Sequence, residues 1–115
     1  MVVMDRPRRL PDGRLTAHLL SDQPGSAGGI ELIAIAVTLG CHPYSVQYPG
    51  TYKEHFDLIG SVRIGHARNH PAIREVSRRE LGRILQAKRR RVLCEDEQGR
   101  DHHDGRRQPR DPTEQ

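Results

Sequence analysis

The sequence predicts a small α/β sandwich: a short, at least partly parallel sheet flanked by about three helices, in one domain over residues 1–91, with a disordered charged tail over 92–115. Three observations predict it. Strand-like apolar runs at 2–5, 15–21 and 72–76 alternate with helix-like segments, and a helix between successive strands is the usual crossover of a parallel pair. Ser77 followed three residues later by Glu80 is the capping box that opens a helix. From residue 95 onward apolar residues nearly vanish, so nothing offsets the entropy of ordering that stretch.

The elements follow in order. Val2, Val3, Met4 and Asp5 read as a short buried strand stopped by Arg6-Pro7, since proline cannot donate to a sheet ladder. Pro11-Asp12-Gly13 supplies a turn, and residues 15–21 form a second strand with Leu15, Ala17 and Leu19 on one side and Thr16, His18 and Leu20 on the other. Residues 23–29, rich in Gly, Ser and Pro, read as a flexible loop before the most apolar segment, 30–39. Ala34, Ala36 and a stripe of Ile30, Ile33 and Val37 make that segment a helix closed by Gly40, while its β-branched residues leave a strand as the alternative. Residues 43–48 could be a short strand, and 58–69 a weak helix carrying Gly60 and Gly65, each costing about 1 kcal/mol relative to Ala. Residues 72–76 form a brief strand leading into the helix capped at Ser77, with Leu81, Ile84 and Leu85 inward and Arg78, Arg79 and Arg83 outward, to about Arg91.

Composition bounds the function. Only 34% of the 115 residues are hydrophobic, with no Trp, one Phe and three Tyr. The core must therefore rest on aliphatic residues, and self-association is a natural supplement to its small stability. A net charge of +4 favours meeting polyanions but does not single out nucleic acid. Cys41 and Cys94 are far apart and outside any Cys-x-x-Cys pattern, which fits free thiols in a reducing, cytoplasmic setting. No stretch approaches the roughly 20 apolar residues that would span a bilayer.

Chemistry concentrates in two stretches, His18 with Asp22 and His55 with Asp57. Residues two or four apart share a face of an extended strand, so each pair would converge, and strands laid side by side would join all four groups. Imidazoles and carboxylates together suit zinc, manganese or iron, with a water at an open position for hydrolysis. Without metal the set offers His as base and Asp as orienting partner. Asp5, ending the first strand, could add a third carboxylate. The competing structural role is that each Asp caps a turn and each His bonds within a polar edge of the core.

A second candidate is the basic helix, Arg78, Arg79 and Arg83 with the run 88–91, which could lie on a phosphate backbone or a host protein. A solvated face, and favourable charge at a helix C-terminus, explain it without a ligand, and a solvated face is the usual account of such a run. His102-His103-Asp104 could pick up a metal loosely. Phosphate loops, dinucleotide fingerprints, nucleophile elbows and spaced Cys/His zinc motifs do not occur.

The order of short motifs adds one more observation. Val3-Met4-Asp5-Arg6-Pro7, Gly13 to Asp22, Glu31-Leu32, His55-Phe56-Asp57-Leu58 and Glu75 to Leu81 together resemble the domain of unknown function 4031 family, small proteins of bacteria and their phages. The resemblance covers about residues 2–87. It implies that Asp5, His18, Asp22, His55, Asp57 and Ser77 are the motif positions, and carries no established activity. The chain departs from the pattern at Arg6, where the family has a second acid, at Phe56 for Tyr, and in the 23–29 loop. The combined expectation is a metal-assisted hydrolase of a phosphate-containing or nucleic-acid substrate. His18, His55, Asp57 and Asp5 would hold a zinc or manganese ion, Asp22 and His18 would act as catalytic groups, and Arg78 and Ser77 would meet the substrate.

Overall fold

The computed structural model describes the backbone of residues 1–103 and the side chains of residues 1–92. Its elements are β1 (Val2–Asp5), β2 (Arg8–Arg9), β3 (Leu15–Ser21), α1 (Gly25–Thr38), β4 (Phe56–Ile59), α2 (Ser61–Arg68), β5 (Ile73–Val76) and α3 (Arg78–His103), with a 3-10 turn at Pro43–Ser45. β3 pairs antiparallel with β1 and β2 along one edge and with β4 along the other, and β1 pairs in parallel with β5. The result is a mixed α/β sheet in which β1 and β2 act as one strand interrupted at Arg6-Pro7.

Side-chain alternation sorts the sheet into two faces. Val2 and Met4 of β1, Ala17 and Leu19 of β3, and Phe56 and Leu58 of β4 meet Leu32 and Ala36 of α1 and Ile64 and Ala67 of α2 in the larger core. On the opposite face Val3, Leu20 and Val76 meet Leu81, Ile84 and Leu85 of α3. The same alternation places Asp5, His18 and Asp57 on the α3 face. That face is apolar where α3 covers it and polar beyond.

Capping fixes the start of α3 as expected. The Ser77 hydroxyl accepts the Glu80 amide at 3.1 Å, while the Glu80 carboxylate takes Arg74 at 2.8 Å instead of returning to the cap. A Ser cap of this kind is worth about 1 kcal/mol. Gly40 ends α1 in the left-handed region (φ 87), with the Cys41 amide donating to the Ala36 carbonyl at 3.0 Å.

Four local expectations are corrected. Residues 25–29 belong to α1, not to a loop: Gly28 packs so tightly that an added Cβ would sit 1.9 Å from the Gln23 carbonyl oxygen. The glycines therefore mark close packing as well as freedom. Residues 43–48 form no strand; Pro43 starts the 3-10 turn under a His42 cap, and Gln47 makes a lone bridge to His55. Residues 58 and 59 extend β4, because Phe56 and Leu58 alternate into the larger core, and the helix begins only at Ser61. A two-residue strand, β2, was not anticipated. The expected tail overlaps the distal turns of α3 and otherwise lies outside the described residues. Among the described residues no helix is long and apolar enough to cross a membrane.

Candidate metal centre

β1, β3 and β4 bring Asp5, His18 and Asp57 together because their register aligns His18 directly with Asp57. His55 joins from the residue before β4, fixed by its bridge to Gln47. Asp5, only 4% exposed, accepts the His18 amide at 2.7 Å through one oxygen and the His18 Nδ1–H at 2.8 Å through the other. His55 Nδ1–H donates to the Lys53 carbonyl at 2.7 Å.

Both imidazoles are thus oriented through Nδ1, and both turn Nε2 toward Asp57. The Asp57 Oδ1 atom lies 3.3 Å from His55 Nε2 and 3.8 Å from His18 Nε2. The rings meet edge to face at 5.3 Å, and one ligand atom from each of His18, His55 and Asp57 falls within 4.8 Å of the others. Metal–ligand distances of about 2.0–2.2 Å place two ligands of a tetrahedral ion roughly 3.3 Å apart. The His55–Asp57 pair already stands at that separation, and His18 Nε2 lies at 3.8 Å from the same Asp57 oxygen. A histidine held by a carboxylate on its far nitrogen is the usual support of a metal-binding imidazole.

The Asp5–His18 pair also sets its own titration. Burial pushes the Asp5 carboxyl up, but hydrogen bonds from the His18 ring and amide, with the charges of His18 and Arg78, outweigh it and hold Asp5 below its ordinary 3.8. The Asp5 hydrogen bond raises His18 above 6.5 against the opposing effect of burial. His18 therefore contributes its full stabilisation below pH 6.5 and loses it as pH rises through its folded value. Asp5 contributes fully above pH 3.8 and loses its share as pH falls through its lowered value. Metal-free protein should gain most from the pair between those limits. Asp5→Asn is expected to cost about 1 kcal/mol at pH 5, a value discounted because the His18 side chain is 38% exposed. The cost should shrink at pH 8, as urea midpoints at the two pH values would show.

Asp22 does not join this group. Asp22 lies just past the end of β3, four residues of extended chain from His18, and its carboxylate takes the Met1 α-amino group at 2.7 Å and the Gln23 side-chain amide. Asp5 occupies the orienting position expected of Asp22. The Ser77 hydroxyl serves the α3 cap. Arg78 is exposed at the start of α3, its charge felt at Asp5. The side chains of Cys94 and of the His102-His103-Asp104 run lie outside the described residues.

A cleft of about 380 Å³ opens beside the centre, between the loop before β4 and α3. Tyr48, Tyr52, Lys53 and Arg89 line it together with His18 and His55; of those four only Arg89, in the basic run 88–91, is singled out from sequence. Tyr48 holds φ 52, a left-handed conformation that costs a bulky residue of order 1–3 kcal/mol and that concentrates at functional sites. The Gln47–His55 bridge and the Thr51 amide donating to the Tyr48 carbonyl at 3.2 Å enforce it. The fold and the site together define a small α/β sandwich with a two-histidine, one-carboxylate cluster at the mouth of a cleft. Comparison with family models, curated proteins and solved structures returns no match.

Proposed function

We propose that His18, His55 and Asp57 hold a divalent cation, zinc or manganese, and that the protein is a small cytoplasmic hydrolase of phosphate-containing substrates. One observation carries this reading. With both Nδ1 atoms donating and both imidazoles neutral, the three atoms left to bind a cation, the two Nε2 atoms and Asp57 Oδ1, lie within 4.8 Å of one another. A shared proton relieves one such pair; a cation relieves all three. The motif order that resembles the domain of unknown function 4031 family supports the choice of residues.

A bound cation would acidify a coordinated water and polarise a phosphoryl oxygen. The protein's own groups do the rest. Asp5 and the Lys53 carbonyl fix the imidazole orientations. Asp57, with its side chain 44% exposed, presents its second oxygen to the water and takes its proton as the water oxygen bonds to phosphorus. The bond from phosphorus to the leaving oxygen breaks, and the proton passes to that oxygen.

Calorimetric titration with manganese or zinc chloride is expected to show one equivalent bound by the wild-type protein and none by the His18→Ala/His55→Ala double variant. Hydrolysis of p-nitrophenyl phosphate should require the metal and stop on chelation. Absence of uptake by the wild type, or equal uptake by both proteins, would overturn the proposal.

A further inference from the structure

We infer that the cleft selects a mononucleotide, with the base lying on the tyrosine wall and the phosphate turned toward the metal centre. This rests on the cation reading above and names its substrate class. Two cations stand in the cleft without a carboxylate within ion-pair distance among the described residues. The Lys53 ammonium lies 5.8 Å from the ring centres of both Tyr48 and Tyr52, and the Arg89 guanidinium 5.9 Å from that of Tyr52. These are contacts at the outer edge of cation–π range, weak enough to yield to an anion in the cleft. With a metal ion between the histidines, the cleft would carry positive charge at its mouth and, through Lys53 of the loop and Arg89 of α3, on both walls.

Apart from Gln86 and the two histidines, the remainder of the lining is apolar or aromatic, and this distinguishes the ligand from bare phosphate. Tyr48 is 58% exposed and faces the cleft from a strained backbone, a conformation that presents its ring instead of burying it. Its ring centre is 6.0 Å from that of the metal ligand His55. A planar ring stacked on this wall would therefore carry its attached phosphate to the centre. Leu85 closes the opposite side, and Gln86 offers an amide to hydrogen-bond a base edge. At about 380 Å³ the space lies in the range of small-molecule sites and suits one nucleotide rather than a run of strand.

The test compares ligands that differ by one part. Manganese-loaded protein is titrated calorimetrically with inorganic phosphate, ribose 5-phosphate, adenosine 5′-monophosphate and a 5′-phosphorylated tetranucleotide. The mononucleotide is expected to bind at least tenfold tighter than ribose 5-phosphate. Tyr52→Ala should erase most of that difference and Tyr52→Phe should keep it, both with unchanged manganese affinity and circular dichroism. Lys53→Ala combined with Arg89→Ala should weaken all phosphate ligands about tenfold. Equal affinity for the mononucleotide and ribose 5-phosphate would overturn the inference, and so would a tetranucleotide binding tenfold tighter than the mononucleotide. Failure of the cation reading would show separately, as no manganese uptake in the preceding titration. The same ligand series run with chelator on the metal-free protein would then still decide whether the cleft prefers the base.

Discussion

Replacing His55 with alanine is expected to lower affinity for manganese or zinc by more than about 100-fold, while the metal-free protein keeps its fold. Loss of a supporting contact around a metal ligand costs about 10–100-fold in affinity, and here a ligand itself is lost. The remaining His18 and Asp57 cannot enclose an ion, since the carboxylate behind His18, Asp5, has both oxygens engaged by it. The fold should survive because His55 precedes β4 and contributes nothing to the buried core. Its Nδ1–H bond to the Lys53 carbonyl is exposed, and its removal returns that carbonyl to water. Calorimetric titration measures the affinity, and circular dichroism with a urea midpoint measures the fold. Retained manganese uptake at near wild-type affinity would remove His55 from the centre. By the same reasoning Asp5→Asn, which loosens His18 without removing it, should weaken metal binding only about 10–100-fold.

Most of the centre was legible in the sequence because strand alternation is a strong local signal. His18 falls on the polar side of a clear period-two run, and Asp5 ends the only N-terminal apolar stretch. Asp22 shows the limit of the same rule: the backbone pairing still reaches it, its amide donating to the Met1 carbonyl at 2.9 Å, but four residues of extended chain set it about 13 Å along the strand from His18, and the Met1 α-amino group takes its carboxylate. The limit at β4 is different. Phe56-Asp57-Leu58-Ile59 is too short to separate a strand from the first turn of a helix by pattern alone, and tertiary burial of Phe56 and Leu58 decides it. The cleft was not legible, because Arg89 reaches it from α3 while Tyr48, Tyr52 and Lys53 come from an irregular loop. One signal was nonetheless present. All three tyrosines of the chain fall at 44, 48 and 52, immediately before His55, a concentration that composition alone does not require. Glycine misled in the other direction: the 23–29 stretch has loop composition, yet Gly28 is there because no side chain fits against the Gln23 carbonyl.

Phe56→Ala is expected to destabilise the protein by about 3–5 kcal/mol, the usual cost of deleting a buried phenyl ring. Phe56 is 1% exposed and is the sole phenylalanine in a chain with few aromatics. Against a total of about 5–15 kcal/mol for a domain of this kind, the loss is a large fraction. The consequence for function follows from position. Phe56 lies between His55 and Asp57, and its burial on the α1/α2 side is what turns Asp57 toward α3, since a one-residue slip would exchange the two faces. Metal binding then separates two outcomes. A ligand held only by the folded state adds about 2.7 kcal/mol at a hundred times its Kd. If the register of β4 survives on the strength of Leu58, saturating zinc should restore the same increment to Phe56→Ala as to the wild type. If the strand slips, Asp57 leaves the α3 face and the increment disappears. Urea midpoints with and without zinc, on Phe56→Ala and on the milder Phe56→Leu, measure this directly. Loss of the zinc increment in Phe56→Ala with its retention in Phe56→Leu would identify apolar bulk buried at position 56 as what positions the centre.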